Sequence, residues 1–407
     1  MEWLFKQFPA FQKKGAMAYH PTLDNVLELI KRFEIDLSQI KFIHVAGTNG
    51  KGSTCAYIAA ALTASDYKVG LFTSPHIHDF RERIRINGKE ISEIDVVEFV
   101  NEIQSIDLGC KPSFFELSWV LSLIHFQKNN CDFVVVETGL GGRLDATNII
   151  TPLLSIITNV GLDHQKILGE TKAEIAMEKA GIIKKSVPVV IGESDFEIIS
   201  IFKRVANEKN SDFYLVNQSE ESVKSFIEKN QNLAKKSIEL LESYYQIYIK
   251  PKSFNEGVRK LYEFTGLKGR FQEILKSPKV VIDAAHNRDG VFALLEHINS
   301  HVNYNNLYLI YGASNDKNIG DIIELFPKKT TCYFTTFSNE RSYTFEELKN
   351  RTHILTQKKE YFTDVNQAIK LAIEKSKKND LILIFGSFFI LEDIRNFKNQ
   401  IEKGVVN

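Results

Sequence analysis

What most constrains this chain is a recurring short run of apolar, β-branched residues that does not alternate with polar ones. The clearest are 41–46 (KFIHVA), 132–137 (DFVVVE), 153–159 (LLSIITN) and 187–192 (VPVVIG). Further along come 279–283 (KVVID), 307–312 (LYLIYG), 331–337 (TCYFTTF) and 380–386 (DLILIFG). A strand with one wet face alternates, so runs that are apolar throughout need cover on both faces. Helical patterns at 53–64, 95–106, 115–127 and 365–377 lie between them. Strand alternating with helix predicts an α/β fold built on a mainly parallel sheet.

Residues 194–266 break the rhythm: they are rich in Lys, Glu, Asn and Ser, with helical spacing and no firm strand. They read as a surface helical region closing a first domain. The turn-forming residues of GLKGRFQEILKSPK (266–279) then lead into fresh strand–helix units. This predicts domains at 1–268 and 269–407, in keeping with a prior of about 150 residues per domain.

Lys+Arg 51 against Asp+Glu 51 leaves the 407 residues with no net charge, hence no overall attraction for nucleic acid or an anionic membrane. Hydrophobic residues at 43% and charged residues at 25% exclude wholesale disorder. The four cysteines are scattered without a CxxC pair, which points to a reducing compartment. The opening MEWLFKQFPAFQKKG lacks a signal-peptide core, and no apolar run reaches the roughly 18 residues of a membrane span. A cytoplasmic protein with no membrane or nucleic-acid partner is expected.

His44-Val-Ala-Gly-Thr-Asn-Gly-Lys-Gly-Ser53 follows a buried strand and opens an alanine-rich helix. Its glycines let backbone N–H groups turn inward, the helix start adds positive potential, and Lys51 supplies a point charge for phosphate oxygens. The strict GxxxxGK[ST] spacing is not met, because Val stands at 45 and Gly52 separates Lys51 from Ser53. The plain alternative is an ordinary strand–helix turn. The strand before, the helix after and the lysine inside favour nucleotide binding.

In open parallel sheets, ligands collect beyond the carboxyl ends of the strands. Glu137 ends one strand there, a position that commonly holds Mg²⁺ beside a phosphate loop. His164 follows another strand, and Asp283, His286 and Asn287 follow a third. Each alone could be a helix cap or a structural histidine; together they mark a site.

The ordered set GTNGKGS, TSPH (73–76), RERI (81–84), ETGLGGRLDATN (137–148), GLDH (161–164), EKAGI (178–182) and DAAHN (283–287) resembles the folylpolyglutamate synthase/dihydrofolate synthase family of the Mur ligase superfamily. The likeness runs from about residue 15 to the C-terminus, thinly through 195–260. It implies a P-loop ATPase domain followed by a smaller Rossmann-like domain. It also implies ATP-dependent joining of L-glutamate to dihydropteroate, to the glutamyl tail of a folate, or to both, through an acyl phosphate.

By this resemblance, ATP lies on Thr48, Asn49, Gly50, Lys51, Gly52, Ser53 and Thr54, with Asn148, Arg270 and Asp283. Arg143 approaches the phosphates, and either Ser53 or Thr54 assists there. Lys51, Lys179, Asp283 and His286 carry catalysis. One Mg²⁺ is expected near Ser74 and Glu137 and a second near His164, although nitrogen is not the donor Mg²⁺ prefers. Lys179 matches a carbamylated position, the alternative being an unmodified helix lysine. The pterin is expected on Pro75, His76, Arg83 and Phe115, where the aromatic pair Phe114–Phe115 either stacks on a flat ring or packs in the core. Glu116 reads as structural. The sequence departs from the family where Ala284 replaces a glycine and Arg288 a proline. A monomer is expected.

Two rival readings fit the sequence less well. A cell-wall Mur ligase would carry a sugar-nucleotide domain before the loop, where about 40 residues stand here. A GTPase-type switch would show Asn-Lys-x-Asp, which the chain lacks.

Overall fold

The computed structural model describes residues 21–216 and 225–394, so the N-terminal stretch MEWLFKQFPAFQKKG lies outside the described residues. The chain divides into two compact units, one ending at Leu267 and the other running from Lys268 and also taking Phe226.

The first unit holds β1 (Lys41–Ala46), β2 (Val69–Phe72), β3 (Ile84–Ile86), β4 (Lys89–Glu90), β5 (Phe133–Glu137), β6 (Leu154–Ile157), β7 (Val189–Ile191) and β8 (Phe213–Leu215). They form one sheet in the order β4-β3-β2-β5-β1-β6-β7-β8. Strands β2 to β8 along that order pair in parallel, whereas β3 and β4 are antiparallel additions at one edge. The addition turns on Asn87-Gly88, both at positive φ, the backbone that a two-residue hairpin favours.

The non-alternating runs are explained by burial on both faces. Val134 and Val136 of β5 face a layer containing Phe42, Phe72 and Trp119. Phe133 and Val135 face the opposite layer with Ile43, Val45, Ile58 and Leu62. Helix Phe114–Lys128 covers the first layer, and helices Lys51–Ala64 and Phe226–Tyr245 cover the second. Strand β1 lies between β5 and β6 while the chain leaves it for β2, so the strand order switches there and opens a crevice at the carboxyl edge.

Two expectations for 194–266 are corrected. The short strand β8 lies there, paired in parallel with β7 at the sheet edge. The region is also not merely a surface one. Leu233, Ala234, Ile238 and Leu241 of helix Phe226–Tyr245 are buried at helical spacing in the core, a stripe hidden by the Lys, Glu and Asn of the outer face.

In the second unit β9 (Gln272–Lys276), β10 (Lys279–Ile282), β11 (Leu307–Tyr311), β12 (Thr330–Thr335), β13 (Lys358–Phe362) and β14 (Leu381–Phe385) form a sheet ordered β13-β12-β11-β14-β10-β9. All pairs are parallel except β9–β10. The stretch 266–279, read as a lead-in, therefore contains an edge strand.

Candidate active site

Strand register places the ends of three central strands side by side. Val45 is opposite Glu137, and Ala46 is opposite Ile157. The Gly-rich loop leaves β1 at this edge and is braced by the segment after β6. Thr48 N–H donates to Asn159 O (3.0 Å), and Asn49 N–H to Asn159 Oδ1 (3.0 Å). Asn49 O accepts from Thr158 Oγ1 (2.7 Å) and Asn159 Nδ2 (3.0 Å), while Thr48 Oγ1 accepts from Gly161 N–H (2.9 Å). Thr158 and Asn159 were missed from the sequence, although they directly follow β6 at the same edge as Glu137.

Two loop positions admit only glycine. Gly47 has φ +152°, and a Cβ there would meet Thr158 Oγ1 at 1.8 Å. Gly50 has φ +82°, and a Cβ would lie 2.3 Å from Asn230 Oδ1. Gly50 caps helix Lys51–Ala64, whose first N–H groups have no partner within the helix, as at any helix start able to take an anion. Lys51 Nζ donates to Gly47 O (3.0 Å) and Thr48 O (3.2 Å), holding the ammonium across the loop. Thr54 is fully buried with its hydroxyl unpartnered, whereas Ser53 is only half-buried.

Glu137 is buried at the tip of β5, and its Oε2 accepts Ser74 N–H at 2.9 Å. The structure thus brings these two together, and both Glu137 and Lys51 act on the thiol of buried Cys55. A carboxylate with a neighbouring hydroxyl is an oxygen donor set of the kind Mg²⁺ takes. His164 stands at positive φ (52°) ahead of helix Gln165–Leu168, beside buried Asp163. Among the described residues, no three His, Cys, Asp or Glu side chains gather as a metal site.

Lys179 lies buried near the end of helix Lys172–Ala180. Burial, then repulsion from Lys51, lowers its pKa to about 7, with Asp163 and Asp145 acting in the opposite sense. Glu178, its neighbour, pairs with Arg143 (2.8 Å). Asn148 donates its amide to Arg143 O and Gly181 O, both at 3.0 Å, so it ties the loop to this helix end.

On the TSPH side, Arg83 is buried and donates from Nε to His76 Nδ1 (2.8 Å). Burial lowers the Arg83 pKa to about 10, against Glu137 and Glu82, leaving it charged at neutral pH. Burial, then Arg83, holds His76 well below the usual histidine range and therefore neutral. The Arg83 guanidinium stands 5.5 Å from the Phe114 ring centre, and Phe114 itself is core. Phe115 is half-buried against Phe72, its ring so close to Gly139 that a Cβ there would come within 2.5 Å. Pro75 follows Ser74 in the same turn through a cis peptide. Glu116 and Ser113 form a capping box for helix Phe114–Lys128.

In the second unit, Asp283 follows β10 and accepts N–H bonds from Phe271 (2.7 Å) and Ala285 (2.8 Å). Burial raises its pKa, while Arg270 acts against that. Arg270 lies 4.6 Å over the Phe388 ring, and His286 packs on the same ring. His286 Nδ1 donates to Ala284 O (2.9 Å). Phe388, which organises both, was missed because a Phe in an apolar stretch carries no chemical signal.

Residues 45–253 match the Mur ligase middle domain, and residues 269–388 match the Mur ligase glutamate ligase domain. The dihydrofolate synthase/folylpolyglutamate synthase of Buchnera aphidicola subsp. Acyrthosiphon pisum is 34% identical over 91% of this chain and 92% of its own. The chain belongs to the dihydrofolate synthase/folylpolyglutamate synthase family.

Solved members of the family align along nearly the whole chain. Escherichia coli FolC in complex with DHPP and ADP gives a TM-score of 0.83 at 26% identity, covering 98% of both chains. The Yersinia pestis bifunctional folylpolyglutamate synthase/dihydrofolate synthase complexed with AMPPNP and Mn ion gives 0.81 at 26% identity, covering 95% of each. The two departures from the family pattern are accommodated locally. Ala284 has no positive φ to strain it. Arg288 opens helix Arg288–His301, the first-turn position where proline is favoured only for its preset φ.

Proposed function

We propose that this chain is an ATP-dependent ligase joining L-glutamate to dihydropteroate, to the glutamyl tail of a folate, or to both. The observation that carries this reading is the shared carboxyl edge of β1 and β5, where the Lys51 loop and buried Glu137 stand together in a chain of this family. A free carboxylate resists attack because its leaving group would be oxide. Its oxygen therefore bonds to the γ-phosphorus of ATP, the β–γ bridging bond breaks, and ADP leaves. The glutamate amine then forms the C–N bond, phosphate departs from the acyl carbon, and the amine loses a proton.

In this chemistry the protein positions the reactants and offsets charge. The amides of Gly50, Gly52 and Ser53 and the Lys51 ammonium hold the β- and γ-phosphates, on a loop whose course is fixed by the Thr48 and Asn49 N–H bonds to Asn159. Ser53 is the accessible hydroxyl, since Thr54 is buried. A divalent cation, Mg²⁺ by preference, would be held by Glu137 and Ser74 and draw charge from phosphoryl oxygens; a second is assigned near His164. Pro75, His76, Arg83 and Phe115 receive the pterin, with Asn148 and Arg143 bordering the nucleotide. Residues 1–268 are assigned to ATP and pterin binding, and Arg270, Asp283 and His286 of residues 269–407 are assigned roles toward ATP and the reacting groups. The reading is of a cytoplasmic monomer.

Lys179 is assigned as a carbamate. At a pKa of about 7 roughly half of its amines are neutral at pH 7, and only the neutral amine attacks CO₂. Carbamate formed from ¹³C-bicarbonate should therefore rise between pH 6 and pH 8 and vanish in Lys179→Met. A pH-independent or absent ¹³C resonance would remove the assignment. In bicarbonate-free buffer the sign for stability is also set. The folded pKa lies below the unfolded one, so the buried charge costs most below pH 7 and is relieved as pH rises toward about 10.5. Lys179→Met should thus stabilise most below pH 7, by several kcal/mol on the scale of about 1.4 kcal/mol per pH unit.

The test of function is phosphate release from ATP, Mg²⁺ and glutamate, with dihydropteroate and tetrahydrofolate in parallel. Release with both identifies a bifunctional ligase, and release with one names the half present. Silence with both, in protein that binds ATP, overturns the reading.

A further inference from the structure

Strand β1 carries one buried polar side chain on its way to the Gly-rich loop. His44 is fully buried three residues before Gly47, on the strand face that bears Phe42. Its Nε2 lies 2.8 Å from Thr147 Oγ1, which lies 2.5 Å from Asp145 Oδ1. Asp145 Oδ1 also accepts Thr147 N–H (3.0 Å), and its Oδ2 accepts Leu140 N–H (2.7 Å).

Proton counting orients the relay. Thr147 has one hydroxyl proton, and both Asp145 oxygens already accept backbone N–H bonds, so Asp145 is the acceptor and that proton goes to it. His44 Nε2 must then carry the proton it donates to Thr147. This leaves Nδ1 as an acceptor, and it is buried without a partner. An apolar side chain would fill the space without stranding a polar atom, so packing alone does not account for a histidine here.

We infer that His44 and Thr147 are positioning residues that fix the 138–148 loop against the strand delivering the phosphate loop. Both ends of the relay lead to the site. On one side β1 runs directly into Gly47. On the other, the held loop begins at Glu137, and its Gly142 sits against the Glu178 and Lys179 carbonyls, where a Cβ would come within 2.7 and 2.9 Å. Arg143 N–H donates to Glu178 O (2.7 Å), and Asn148 to Gly181 O. The relay therefore sets the spacing of Lys51, Glu137 and Lys179 without touching substrate. What that spacing serves rests on the ligase reading above.

The test uses a pair of equal length in the full chain, His44→Met and His44→Gln, of which only glutamine offers an N–H near the Nε2 position. Misplacement of about 1 Å costs up to about 100-fold in rate, so His44→Met should lower kcat by about 10–100-fold with KM for ATP changed less than about 3-fold. His44→Gln should recover most of kcat at a similar melting temperature. Thr147→Val and Thr147→Ser form a second pair with the same expected contrast if a His44 variant does not fold. Equal kcat within a pair, or loss that follows melting temperature alone, overturns the inference. Hydrogen exchange at the Leu140 and Thr147 amides, faster in His44→Met than in His44→Gln, reads the relay independently of turnover. Wild-type silence in the assay would overturn the ligase reading, and exchange would still decide the relay.

Discussion

Lys51→Ala should reduce glutamate-dependent phosphate release by about three orders of magnitude, on the scale of losing a phosphoryl-clamping cation. The fold should survive, because Lys51 is only half-buried and its ammonium donates to two carbonyls of its own loop. A melting temperature near wild type is therefore expected beside the lost turnover. The same change removes a repulsion that lowers the Lys179 pKa, so that pKa should rise and carbamate formation at neutral pH should fall. Turnover within about threefold of wild type would refute the assignment of this loop to phosphates.

Glu137→Gln should cut turnover by roughly 100-fold or more and raise the Mg²⁺ concentration needed for half-activity. It separates two roles by changing charge while keeping shape. The amide oxygen can still accept Ser74 N–H, so the turn at Ser74 should persist. The lost negative charge leaves buried Arg83 with Glu82 as the remaining named acidic influence. A modest loss of stability, about 1–3 kcal/mol, is expected from a buried cation that keeps only part of its compensation. Activity measured across a Mg²⁺ titration, with thermal unfolding alongside, distinguishes the effects. Unchanged Mg²⁺ dependence would take Glu137 out of the metal site.

Legibility along the chain followed signal type. The runs that became β1, β5, β10 and β14 were readable because strands covered on both faces must be apolar at every position. Strands β4, β9 and β13 were not, because edge strands keep polar residues, as in KKEYF of β13, and β3 is only three residues long. The hairpin did leave a mark, Asn87-Gly88, but a search for apolar runs passes over it. Helix Phe226–Tyr245 was misjudged for a similar reason: twenty residues rich in Lys and Glu conceal one narrow buried stripe.

The candidate site divides along the same line. By itself the sequence determined that a glycine loop, Glu137 and the GLDH segment would share the carboxyl edge of one sheet. Each follows its own strand, and parallel strands end together. Motif order also sufficed to show the family. Only the tertiary structure decided the charge on Lys179, which depends on burial and on Lys51 and Asp163, neighbours distant in sequence. Only it joined His44 to Thr147, 103 residues apart. It alone turned Phe388 into a platform for Arg270 and His286. Strand pattern is local and is written residue by residue, whereas desolvation, Coulomb fields and hydrogen-bond partners act through space and exist only once distant segments have packed.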